Sequence, residues 1–189
     1  QTQRTCDACG GRGTVIENPC KACRGTGTVQ ATKTLEVSIP AGIDNGQRIS
    51  LRGQGSDGLR GGSAGDLLIS VAVKAHPVFE RDGYDIYCEV PITFTEATLG
   101  AEIDIPTLEG KEKFTVPEGT QTGTSFTLKQ KGVPYVNNSS RRGDLIITVV
   151  IEVPKNLSSA QKEKLREFAE LSGETNYTKK TKFFKKFFK

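Results

Sequence analysis

The sequence has no methionine and only one histidine in 189 residues. With Gln1 at its start, it reads as a piece of a longer protein, so an upstream targeting signal would be invisible. No apolar run approaches the ~18 residues of a membrane-spanning helix, and no signal-peptide pattern opens the chain. The lone histidine, His76, precedes Pro77 at an expected strand end. It reads as a turn residue rather than a ligand or base. Beyond residue 23 the only cysteine is Cys88. A disulfide framework would be spread along the chain; this clustering points instead to metal ligands in a reducing compartment. Acid is absent from the last eleven residues, "KKTKFFKKFFK", which hold six lysines. Without them the body carries 20 basic against 22 acidic residues, so the net charge of +4 belongs to the tail. The body is therefore not a polyanion binder by charge.

What is present begins with a duplication. "IPAGIDNGQRISLRGQG" (Ile39 to Gly55) matches "VPEGTQTGTSFTLKQKG" (Val116 to Gly132) at an offset of 77. "GDLLISV" (Gly65 to Val71) matches "GDLIITV" (Gly143 to Val149) at 78, as one inserted loop residue requires. The matched positions are largely Gly and Pro, which set backbone geometry, so matched punctuation means matched turns. Two copies are too few for a solenoid and imply tandem homologous domains. Asp66 and Asp144 recur at matched positions and read as turn or strand-start residues.

Each copy is rich in β signals. "TLEVSI" (Thr34 to Ile39) alternates, "LLISVAV" and "LIITVVIEV" are β-branched runs, and "YDIYCEVPITF" adds a strand in which Cys88 reads as a small buried hydrophobe. "GAEIDIPTLEGKEKFTVP" predicts a hairpin turning at "LEG". The expected fold is mostly β: two tandem small β-sandwiches with Greek-key character and little helix. The first copy has only the cysteine module and one strand where the second has a strand and hairpin, so a starting strand is expected upstream. "LSSAQKEKLREFAEL" (Leu157 to Leu171) predicts a helix, with Ser158 and Gln161 as a capping box and Leu165, Phe168 and Ala169 as a narrow apolar stripe. A lone helix of this length is marginal and must pack on the second domain or on another copy. The Phe/Lys tail would be basic and amphipathic as a helix, suiting an anionic surface or a dimer contact; a solvated end is the expectation. "GQGSDGLRGG" (Gly53 to Gly62) lacks the Lys-Ser/Thr of a phosphate loop and opens no helix.

The cysteines fall in two C-x-x-C-x-G-x-G knuckles, "CDACGGRG" (Cys6 to Gly13) and "CKACRGTG" (Cys20 to Gly27). Each C-x-x-C lets two thiolates grip one metal from a tight turn, and the glycines permit backbone N–H groups to face the sulfurs. Cys6, Cys9, Cys20 and Cys23 together make a tetrahedral zinc complement, with Arg4, Arg12, Lys21 and Arg24 to offset its charge. Four protein ligands leave no open position for water, so such a zinc is structural. No thioredoxin-like βαβ pattern surrounds the pairs, which disfavours redox chemistry.

These knuckles, "LEVSIPAGIDNGQRISLRGQG", "GDLLISVAVKAHPVFERDGYDIYCEVPITFTEATLGAEIDIPTLEG" and "VPEGTQTG" closely resemble the C-terminal part of the bacterial DnaJ family, the zinc-containing J-domain co-chaperones. The resemblance spans roughly Thr5 to Leu171. It implies a zinc module, two substrate-binding β-domains and a C-terminal dimerisation segment, in a parent that hands unfolded clients to a DnaK-type ATPase chaperone. The His-Pro-Asp motif of the J-domain is absent, so stimulation of that ATPase is not expected of this chain. The family has four cysteine repeats, with zinc shared between first and fourth and between second and third. The two present resemble the third and fourth, so Cys6 and Cys9 would serve one zinc and Cys20 and Cys23 another, or the two knuckles would pair with each other. The resemblance also implies a client groove at Leu35 and Ile69 with Val37 and Val71 beside them; by residue type alone Leu35 and Ile69 read as sandwich core.

The domain reading is 1–30 for the partial zinc module, 31–79 for the first β-domain, 80–155 for the second, 156–172 for the dimerisation helix carrying Leu165 and Phe168, and 173–189 for the tail. The expected function is non-enzymatic: the client-binding part of a cytoplasmic, homodimeric co-chaperone with zinc, binding unfolded polypeptides in the stress response. Nucleic acid and membrane are not expected partners. The rival readings are a zinc-ribbon nucleic-acid-binding module, disfavoured by an acidic body and few aromatics between the knuckles, and a C-x-x-C thiol–disulfide oxidoreductase.

Overall fold

Alternation of apolar and polar residues turns most of the chain beyond residue 47 into strand. The computed structural model describes residues 4–11, 13–58, 62–173 and 176–187. The chain divides into two compact units, Gln1–Ser38 and Ile39–Lys189.

The first unit contains turns at 7–11 and 21–25 and no strand among its described residues. The strand expected over Thr34 to Ile39 is not formed, although Leu35 and Val37 are half-buried while their neighbours are exposed. A strand needs a ladder partner, and the duplication supplies the reason. The counterpart of this segment in the second copy pairs with residues whose own counterparts in the first copy belong to the cysteine module.

In the second unit β1 (Arg48–Leu51) and β2 (Leu67–Ser70) form an antiparallel ladder. Then come β3 (Phe79–Asp82), β4 (Asp85–Thr93), α1 (Phe94–Leu99), the hairpin β5 (Ala101–Thr107) and β6 (Gly110–Val116), and β7 (Ser125–Leu128). A short hairpin, β8 (Pro134–Tyr135) and β9 (Asn138–Arg142), precedes β10 (Leu145–Glu152), α2 (Ser159–Ser172) and α3 (Thr178–Phe187). The main sheet has the order β3-β4-β10-β7, with β4 and β10 parallel and the other pairs antiparallel.

The core lies on one face of this sheet. Ile86, Cys88, Val90 and Ile92 of β4 stand opposite Leu145, Ile147, Val149 and Ile151 of β10. All but the half-buried Ile151 are buried, and Ile105, Val116, Ala97 and Val133 join them. Cys88 is thus a buried hydrophobe, as its strand position predicts, and burial raises its thiol pKa.

The duplication holds bond for bond. Arg48 faces Ser70 and Leu51 faces Leu67; at the same offsets Ser125 faces Thr148 and Leu128 faces Leu145. Gly46 N–H donates to Val71 O at 2.9 Å, and Gly123 N–H to Val149 O at 2.8 Å. Gly53 N–H donates to Asp66 Oδ1 at 2.9 Å, and Gln130 N–H to Asp144 Oδ1 at 3.0 Å, which gives the two aspartates their turn role. Gln130 holds φ at +59° where its counterpart is Gly53 at +64°. The copies differ at one edge. Among the described residues β2 pairs only with β1, whereas β10 pairs with both β7 and β4.

The expected hairpin turns at Leu108 and Glu109 of "LEG". His76 accepts from the N–H groups of Val78 and Phe79 at Nδ1, both at 3.2 Å, and so closes a turn into β3. Two helical findings depart from the sequence reading. α1 was not expected: Thr93 and Glu96 form a capping box that starts it directly after β4. The tail is helical over Thr178–Phe187 rather than a solvated end; the side chains of Phe184 and Phe187 and all of Phe188 lie outside the described residues.

Candidate functional site

The two knuckles fold alike. Gly10 N–H donates to Cys6 O at 2.8 Å, and fourteen residues later Arg24 N–H donates to Cys20 O at 2.7 Å. Backbone φ repeats with them: +55° and +47° at Gly10 and Arg24, +87° and +88° at Gly11 and Gly25, +76° and +79° at Gly13 and Gly27. Glycine reaches these left-handed values without strain, which explains the C-x-x-C-x-G-x-G spacing. Thr26 ties the second turn shut, its hydroxyl donating to Cys23 O at 2.7 Å.

Each turn brings its own cysteine pair together. The Cys20 thiol is held below the ordinary range, first by the Cys23 N–H, then by the Ala22 N–H and the Cys23 side chain. Donors aimed at sulfur stabilise the thiolate, the form that binds zinc. The donor chemistry of a knuckle therefore fits two of the four ligands of a structural zinc. The four sulfurs are not gathered: among the described residues no three or more His, Cys, Asp or Glu side chains form a group able to hold a metal. None of the five cysteines is in a disulfide. Arg4, Lys21 and Arg24 are exposed, and Arg12 lies outside the described residues.

The four expected client-binding residues divide between the units. Leu35 and Val37 belong to the first unit, Ile69 and Val71 to the second. Ile69 lies in β2 opposite Ile49, half-buried, and Val71 continues that ladder through Gln47 O at 2.9 Å.

The helix expected to dimerise is present as α2. Ser158 and Gln161 exchange the two capping-box bonds, at 2.8 and 3.3 Å. Leu165 and Phe168 are 41% and 42% exposed, so each has one side packed and one side open. The packed side of Phe168 meets Phe94 of α1 edge-on, ring centroids 6.1 Å apart. Between α1 and α2 lies an apolar cleft of about 660 Å³, lined by Phe94, Pro154, Leu157, Ala160 and Leu165 among others. Phe94 was missed from the sequence because it was read as the end of a strand; the Thr93-x-x-Glu96 box was the available signal.

Comparison with known proteins agrees along the whole chain. Residues 3–154 match the model of the DnaJ C terminal domain, and residues 160–189 match the Chaperone protein DnaJ C-terminal region. A Chaperone protein DnaJ of Acetivibrio thermocellus is 57% identical over 183 residues, covering 97% of this chain and 47% of the relative. That of Clostridioides difficile is 59% identical, covering 89% and 44%. That of Sinorhizobium medicae is 51% identical, covering 96% and 48%. The chain thus spans about half the length of the curated relatives it matches. No described helix is long and apolar enough to cross a membrane. With its β-domains and its C-terminal helices both matched, the chain belongs to the DnaJ family, as the C-terminal part of a chaperone protein.

Proposed function

We propose that this chain is the client-binding part of a DnaJ-type co-chaperone, which holds unfolded polypeptides for delivery to a DnaK-type ATPase chaperone in the cytoplasm. The observation that carries the reading is the family match over residues 3–154. It falls on two β-ladders of identical register, an architecture suited to holding extended chain by added strand hydrogen bonds, with apolar side chains received without sequence demand. Leu35, Val37, Ile69 and Val71 form the client contact in this reading. No step is catalytic: capture is reversible and ends with release.

Dimerisation through α2 makes capture bivalent, so that two weak contacts on one client act together. Half-exposed Leu165 and Phe168, with the apolar cleft beside them, support this face as the contact. Zinc belongs to the reading as a structural ion. Cys6 and Cys9 would supply two ligands and Cys20 and Cys23 two more, either to separate ions or to one shared ion. The nucleic-acid and oxidoreductase readings gain nothing from the family match.

The test is binding of a fluorescent, extended apolar peptide to the chain and to its Leu35→Ser, Ile69→Ser variant, beside a light-scattering assay of an aggregating reporter enzyme. The reading expects tight binding, lost in the folded variant, and slowed aggregation. A folded, dimeric chain that neither binds the peptide nor slows aggregation would sink it.

A further inference from the structure

The identical register of the two copies allows them to be compared side chain by side chain, and the comparison is unequal at the client-binding positions. Leu35 corresponds to Glu112, Val37 to Phe114, Ile49 to Phe126, Ile69 to Ile147 and Val71 to Val149. We propose that Glu112, Phe114 and Phe126 determine which copy accepts an apolar client segment: they close this position in the second copy, while the first copy carries aliphatic side chains there. The inference rests on the client-binding reading above.

The closure is visible in the second copy. Ile147 and Val149 are fully buried beneath the sheet and offer no surface to a ligand. Above them the Phe114 and Phe126 rings lie 5.1 Å apart with a 55° tilt, both half-buried against the core. An aromatic pair in this geometry gains more than its area, and an entering side chain would have to displace it. At the mouth, the Glu112 carboxylate lies 2.7 Å from Lys131 Nζ, and Glu109 pairs with Arg142 at 2.8 Å one turn of the hairpin away. An apolar segment laid along β6 would strip water from this ion pair and give nothing polar in return. The first copy has neither the rings nor the carboxylate at these positions. Leu35, Val37 and Ile49 are all smaller than phenylalanine and uncharged. The duplication has therefore diverged into a capturing copy and a supporting copy, and each protomer contributes one apolar contact rather than two.

The experiment uses the full chain and a fluorescent heptapeptide of alternating leucine and serine, one leucine replaced by its diazirine analogue. Photo-crosslinks are mapped by mass spectrometry and stoichiometry by titration. In the wild type, crosslinks are expected to avoid 110–128 and 145–149. In the Glu112→Leu, Phe114→Val, Phe126→Ile variant they should appear there, and peptide bound per chain should double. Wild-type crosslinks within 110–128 overturn the proposal, as does a folded triple variant that gains none. If the triple variant fails to fold, the milder Glu112→Leu, Phe126→Ile variant and the wild-type map decide the matter in the same terms. A wild type that binds no peptide anywhere refutes the client-binding reading; crosslinks gained at 110–128 by the variant would still support the closure.

Discussion

Gly42 lies so close to Pro134 that a β-carbon on the glycine would stand 1.9 Å from the Pro134 carbonyl oxygen. The turn of the first copy is thus seated backbone-to-backbone on β8 of the second. The matched glycine, Gly119, has the same left-handed φ, +74° against +86°, yet an added β-carbon there meets nothing within 4 Å. The pair separates two costs. Gly119→Ala should lose about 1 kcal/mol, the left-handed strain alone. Gly42→Ala should lose roughly 3 kcal/mol or more, because backbone must also move. Urea unfolding of both variants checks this, and equal losses would show that the contact carries no weight.

Arg81 holds the same joint from the side. Its guanidinium donates to Gly42 O and Ile43 O, each at 2.9 Å, and to Gly83 O at 2.7 Å. Arg81→Met should destabilise by about 2–3 kcal/mol, since part-buried carbonyls lose charge-assisted donors. Arg81→Lys should recover little, because an ammonium cannot span three carbonyls in a planar fork. Full recovery in the lysine variant, read by thermal melting, would contradict this account.

Acid should weaken the second copy through Asp144. Lys129 at 2.6 Å and then the Gln130 N–H hold its carboxyl below the usual carboxylate range. A folded-state pKa below the unfolded one contributes stability above the unfolded value, and this is lost as pH falls through the folded value. Asp144→Asn should therefore flatten the loss of stability below about pH 4. Denaturation midpoints of wild type and variant across that range provide the measurement, and parallel curves would rule the role out.

Metal removal should leave the β-domains standing. The core of the second unit contains Cys88 and no other cysteine. A chelator that strips zinc from the knuckles should leave the thermal transition of the β-sheet within experimental error, while protease access to residues 4–27 rises. A shared loss of both would mean that the β-domains depend on the metal.

The aromatic contact between α1 and α2 should be measurable as a coupling. Single Phe94→Ala and Phe168→Ala variants and their double variant are expected to give a coupling energy of roughly 0.5–1.5 kcal/mol. Strict additivity would mean that the helix is held by its other contacts.

Gly and Pro spacing by itself determined the duplication, since those residues admit few backbone paths and the same path recurs wherever they recur. The same rule made the knuckle turns legible, where φ repeats at every matched position. Alternation determined β4, the β5–β6 hairpin and β10, and the Ser158–Gln161 box determined the start of α2. Tertiary structure alone decided the rest. Thr34 to Ile39 alternates as a strand should, yet forms none, because a strand is completed by a partner that local pattern does not specify. Val37 and Phe114 are equally apolar in a hydropathy reading; only packing separates them, by setting the Phe114 ring against Phe126. Nothing local marks Gly42 or Arg81 as a joint, because the carbonyls they meet are brought there from distant parts of the chain. Local rules write the elements; the contacts that orient the copies and close one of them arise from residues far apart in sequence.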